Sequence, residues 1–161
     1  MSDFIARRIV RQHTMQLPDV PNKVFPLLCP VREREWLHGW DCTIVHSESG
    51  FVEKNCVFTT DLPGDGHVVW VASRYEPDHE IIEFVQLAPG SRVAKLEVQL
   101  EELEGGRTLA HWSYTYTALT ETGNEFLSHI TEDVYNKKMT KIEESLSHFL
   151  KTGKMLISDW H

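Results

Sequence analysis

Between residues 122 and 150 the apolar positions recur in steps of three and four: Phe126, Leu127, Ile130, Val134, Met139, Ile142, Leu146, Phe149 and Leu150. That spacing predicts one long amphipathic helix with a single apolar stripe. Its other side carries His129, Glu132, Asp133, Lys137, Lys138, Lys141, Glu143 and Glu144, which suits water. Thr122 and Glu125 have the spacing of a capping box at its start. Gly153 stands just past its end, where a left-handed residue is wanted. A helix of this length reaches about 40 Å at ~1.5 Å per residue, enough to lie across a whole sheet.

Upstream the period changes to two. Residues 5–16 read as a first strand, ended by Pro18-Asp19-Val20-Pro21. Pro21 suits the opening of a short helix over 21–28, which Pro26 limits or kinks. Pro30 breaks it and seeds a second short turn over 31–37. In that turn Arg32, Glu33, Arg34 and Glu35 alternate in sign, the usual mark of a solvated face. Strands follow at 41–47 and 51–61, then at 67–76 and 81–87, then at 92–103 and 107–119. Turn signals at Gly50, Pro63-Gly64, Pro77-Asp78, Pro89-Gly90 and Gly105-Gly106 separate them.

The last hairpin resolves its faces best. With a three-residue loop, Leu96 faces Tyr114, Val98 faces Trp112 and Leu100 faces Ala110. Lys95, Glu97, Gln99 and Glu101 then make a wet side. A two-residue loop would slip the register by one and mix the faces. The dry face needs an apolar partner, and the long helix is the available one. The chain shows no repeat and no linker, so one domain covers 1–161, with a core at about 5–153 and a tail at 154–161 that carries Trp160.

The segment Val20-Pro21-Asn22-Lys23-Val24-Phe25, followed by Trp36-Leu37-His38-Gly39-Trp40, resembles the START/SRPBCC superfamily of polyketide cyclase/dehydrase-like proteins. Gly106-Arg107-Thr108-Leu109-Ala110-His111-Trp112 resembles that superfamily's Gly-x-Thr strand opening. The resemblance covers roughly 5–153 and is closest to bacterial cyclase/dehydrase-like members. It implies an α+β helix-grip fold: a seven-stranded curved antiparallel sheet, two short helices after strand one, and a long C-terminal helix gripped by the sheet. It also implies a cavity between sheet and helix for a lipid, polyketide or other hydrophobic molecule.

The candidate cavity residues follow from the inward strand positions and the helix stripe. Leu96, Val98, Trp112 and Tyr114 lie on the dry hairpin face; Phe126, Ile130 and Val134 lie on the early stripe. Trp70 and Arg74 share a parity, so an inward Trp70 brings Arg74 with it. A buried Arg would need a carboxylate or a ligand anion; the plain alternative is that Arg74 reaches solvent at the strand end. Glu83 lies between Ile82 and Phe84 in a strand apolar on both parities. Either Ile82 and Phe84 face in and Glu83 faces out, or Glu83 enters the cavity as a general acid or base with a raised pKa. Glu33, Glu35, Glu53 and Asp61 read as surface charges.

Composition narrows the functions. The formal net charge is −8. Arg7, Arg8 and Arg11 are the only N-terminal basic cluster, and strand alternation splits them. Nucleic acid and anionic membranes are therefore not expected partners. No apolar run approaches the ~20 residues that span a bilayer, and Met1-Ser2-Asp3-Phe4 opens no signal core, so a cytoplasmic location is expected. Cys29, Cys42 and Cys56 are an odd, widely spaced set that reads as small buried residues. Nine histidines are scattered without His-x-His or His-Glu-x-x-His, so neither a metal nor a cofactor is expected. No Gly-x-Ser-x-Gly elbow is present. The reading is a binding domain for a small hydrophobic molecule. The alternatives are a cyclase/dehydratase-like enzyme using the same cavity, or an Hsp90-co-chaperone-like interaction module. An enzyme would show an inward acid or base near a second polar group.

Overall fold

A computed structural model describes residues 3–161. Seven antiparallel strands form one sheet: β1 (Arg8–Leu17), β2 (Thr43–His46), β3 (Val57–Leu62), β4 (Gly66–Glu76), β5 (Ile81–Ala88), β6 (Arg92–Leu103) and β7 (Arg107–Ala118). Their order is β1-β7-β6-β5-β4-β3-β2, a meander whose last strand returns beside the first. A four-residue α1 (Pro21–Val24) and two tight 3-10 turns, Phe25–Leu28 and Arg32–Glu35, connect β1 to β2. The β6–β7 hairpin has the register expected from its faces: Leu96 opposite Tyr114, Val98 opposite Trp112, Leu100 opposite Ala110. Burial alternates along β6 accordingly, with Ala94, Leu96, Val98 and Leu100 inside.

The expected single helix is two helices. α2 (Glu121–Ser128) and α3 (Glu132–Thr152) are separated at His129–Thr131. Each has its own N-cap. Thr120 Oγ1 accepts from Gly123 N at 3.1 Å, and Thr131 Oγ1 accepts from Val134 N at 3.2 Å. Thr120 therefore caps the first helix in place of Thr122. At the break the His129 ring bonds the Glu125 carbonyl, and Asp133 pairs with Lys137. Gly153 ends α3 in the left-handed region, as expected, and donates to Phe149 O.

The break resets the apolar phase. In one continuous helix Val134 would continue the line of Phe126 and Ile130. Instead α3 buries Tyr135, Met139, Ile142, Ser145 and Leu146, and Val134 is 52% exposed.

Two strands depart from alternation. The strand expected at 51–61 begins only at Val57, because 51–56 belongs to a wide loop. There the Glu53 carboxylate accepts the Glu48 and Ser49 N–H groups, and Asn55 takes a positive φ of 72°. In β4 a bulge falls between Ala72 and Arg74, leaving Ser73 as the extra residue. Parity reverses there. Arg74 comes opposite Glu83 on the outer face, while Tyr75 comes opposite the buried Ile82.

The tail is docked. Leu156 bridges Leu37 in parallel, Trp160 is 3% exposed, and its Nε1 donates to His38 O at 2.6 Å. Lys141 Nζ donates to Asp159 O at 2.8 Å, fixing the tail to α3.

Candidate functional site: a cavity between sheet and helices

The concave face of the sheet does not close fully onto α2 and α3. The gap is a cavity of about 210 Å³. That exceeds the ~150 Å³ void that admits a benzene-sized guest. Its walls come from β4–β7, from α2 and α3, from the turn Arg32–Glu35 and from the docked tail. Nine sequence-derived candidates line it: Trp70, Phe84, Leu96, Val98, Trp112, Tyr114, Phe126, Ile130 and Val134. Val134 reaches it from an exposed position at the start of α3.

Arg74 and Glu83 are not in the cavity. The bulge at Ser73 turns Arg74 outward, where it pairs with Glu76. Glu83 faces out between Ile82 and Phe84. It accepts from Ser73 Oγ at 3.0 Å and lies 3.4 Å from Lys95 Nζ. The first of the two readings of that strand is thus the observed one.

Four charged residues line the cavity in their place: Glu33, Arg92, and the half-buried Asp65 and Lys138, the last from the helix side expected to face water. Glu33 lies in the middle of the Arg-Glu-Arg-Glu run. Its neighbours are engaged outward, Arg32 with Glu35 at 2.9 Å and Arg34 with Asp41 at 3.0 Å. The tight turn swings Glu33 to the opposite side, among the cavity walls. Its carboxyl has no hydrogen-bond or ionic partner among the described residues. Burial pushes its pKa well above the usual carboxylate range. Arg92 opens β6 on the same parity as Ala94 and Leu96, and is only 7% exposed.

Gln86 also lines the cavity, and the remaining polar groups are aromatic. Tyr114 and Tyr116 stack at 5.3 Å, and Tyr135 meets Tyr114 edge-on at 5.8 Å. Burial raises the pKa of all three, so all three stay neutral phenols. The Tyr135 hydroxyl and the Trp112 indole N–H are fully buried without a partner. A buried donor left unpaired costs about 1–3 kcal/mol, which a guest with a suitably placed oxygen would recover. The cavity is thus an apolar container with several unanswered polar groups, the usual constitution of a small-molecule site.

A signal for Arg92 was present in its parity with Leu96, masked by its place at the strand start. None was available for Glu33, since the Arg-Glu alternation is equally consistent with a solvated face. Tyr135 was hidden by the helix break. All three cysteines are free and buried. No group of metal-ligating side chains occurs among the described residues, and no helix there is long and apolar enough to cross a membrane.

No protein-family model and no curated protein matches this chain. Solved structures do. Norcoclaurine synthase from Thalictrum flavum superposes with a TM-score of 0.69 at 10% identity, covering 91% of this chain and 88% of that one. Zhui aromatase/cyclase from a Streptomyces species gives 0.66 at 13% identity, covering 94% and 100%. Ara h 8.0201 gives 0.63 at 12% identity, covering 91% and 99%. The likeness is of fold: a curved seven-stranded sheet around a C-terminal helix.

Proposed function

Taking as premise that the chain has the START/SRPBCC helix-grip fold, we propose that it holds a small, largely aromatic molecule in the cavity between the sheet and the C-terminal helices. The observation that carries this is the lining itself. Trp70, Phe84 and Trp112 supply flat apolar walls, while the unpaired Tyr135 hydroxyl and Trp112 N–H await oxygen acceptors on the guest. One structural neighbour is described in complex with dopamine and hydroxybenzaldehyde, both single-ring aromatics, which supports a guest of that size class.

The test is calorimetric titration with 2-naphthamide, a neutral planar probe. Wild-type protein is expected to bind it. Leu96 is 4% exposed and lines the cavity, so Leu96→Trp should fill the space and weaken binding at least about tenfold. The overpacking should cost roughly 1–3 kcal/mol of stability, checked by thermal melting. Undiminished binding to a folded Leu96→Trp variant would place the guest elsewhere.

Glu33 favours a second reading, an enzyme of the cyclase or dehydratase kind. A neutral carboxyl in an apolar site can protonate a carbonyl oxygen and then accept a proton as carboxylate. Its ionisation can be followed through stability. In the unfolded chain Glu33 loses its proton near the ordinary pKa of 4.5, whereas the folded chain keeps it to higher pH. Between those two points the folded state binds more protons, so wild-type stability should fall as pH rises. Glu33→Gln cannot ionise and should lack that contribution. Urea midpoints taken from pH 4 to pH 8 should therefore diverge in favour of the variant as pH rises. Parallel curves would show that Glu33 ionises as an ordinary surface carboxylate.

A further inference from the structure

Arg92 is the one charged side chain of the described residues that is less than a tenth exposed, and no carboxylate pairs with it directly. Nη1 donates to Ser91 Oγ at 3.3 Å and Nη2 to the Asp65 backbone carbonyl at 3.1 Å. Both acceptors are neutral. No carboxylate oxygen of the described residues lies within 4 Å of the guanidinium. The guanidinium carbon sits 3.6 Å from the centre of the Phe126 ring, which offers a quadrupole but no charge. Burial accordingly pulls the Arg92 pKa down, with Asp65 and Tyr116 opposing it.

Holding a desolvated cation this way is costly, and structures rarely keep one without a partner. The backbone fixes it in place. Arg92 is paired with Ala118 in the β6–β7 ladder and follows the Ser91 turn against which α2 packs. Its side chain runs into the cavity from the same face as Leu96 and Val98. Two of the five guanidinium N–H groups are used. The remaining donors form part of a planar fork of the kind that matches a carboxylate.

We propose that Arg92 is an anion anchor, and that the natural guest is an aromatic or otherwise apolar molecule bearing a single carboxylate. This deepens the cavity reading and rests on it. One buried guanidinium balances one negative charge; the other cation at the wall, Lys138, is only half-buried. The body of the guest lies along the aromatic walls and its acid group meets Arg92 beside Phe126. The anchor acts by binding and orientation, and sets which molecules enter.

The experiment compares 2-naphthoate with 2-naphthamide at neutral pH, a pair of nearly equal shape that differs in charge. Calorimetry on wild-type protein should give naphthoate about tenfold tighter binding. In Arg92→Gln the two should bind within about twofold of each other. Arg92→Lys keeps the charge without the fork and should retain part of the preference, which also serves if Arg92→Gln fails to fold. Equal affinities in the wild type, or a preference that survives Arg92→Gln, would overturn the anchor while leaving the cavity reading intact. If neither probe binds the wild type, the cavity reading and the anchor fall together.

Discussion

Replacing Gly123 with alanine is expected to destabilise the protein by about 2 kcal/mol or more, although alanine is the better helix former. In an open helix interior the change would be favourable by ~1 kcal/mol. Gly123 lies instead where α2 touches the turn between β5 and β6. A Cβ there would overlap the Ser91 carbonyl group and crowd the Ala118 Cβ at 3.2 Å. The carbonyl cannot easily retreat, because Ser91 O accepts from Leu119 N at 2.7 Å. Overpacking of this kind costs typically 1–3 kcal/mol, and backbone atoms yield less than side chains. The φ of Gly123 is not in the left-handed region, so space and not strain decides the outcome. Relief would come by lifting α2, which also carries Phe126 away from Arg92. Urea unfolding gives the measurement. A variant as stable as the wild type, or more so, would mean that α2 does not sit this close to the sheet.

The second large effect is expected at the docked tail. Trp160→Ala removes a side chain that is 3% exposed, lines the cavity and donates to His38 O. Deleting a buried Trp costs about 3–5 kcal/mol. For a domain of this size, 3 kcal/mol lowers the melting temperature by roughly 6–12 °C. The Lys141 bond to Asp159 and the Leu156–Leu37 bridge would also lose their reason to form. An unchanged melting temperature would show that the tail rests on the body without stabilising it.

What the sequence displayed, and what it hid, follows from how far each signal reaches. The β6–β7 register was legible because the dry and wet faces separate under only one loop length, so Leu96, Val98, Trp112 and Tyr114 were placed correctly from pattern alone. The helix break was not, because Ile130 sits three and four residues after Leu127 and Phe126 and four before Val134, which reads as one smooth stripe. The local sign was Thr131 followed by Glu132 and Asp133, a cap with an acidic first turn inside an apparently continuous helix. Of the two readings of Arg74 the solvent-reaching one is observed; its shared parity with Trp70 misled because period-two reasoning carries no warning of an inserted residue, and only the pairing with β5 reveals Ser73 as extra. The chemistry was the least legible part. The need of a buried Arg for a carboxylate or a ligand anion applies to Arg92, which is buried, and not to Arg74, which is exposed. Glu33 owes its position to a turn too short for periodicity to describe.

The cavity walls have one further consequence. The chain has five tryptophans. Trp40, Trp70, Trp112 and Trp160 all border the cavity, while Trp36 is sealed in the core with its N–H bonded to Leu27 O at 2.8 Å. Most of the protein's ultraviolet emission therefore originates at the surface a guest would touch, with one sealed indole as an internal reference. The molecule carries its own optical gauge of occupancy, and needs no attached dye.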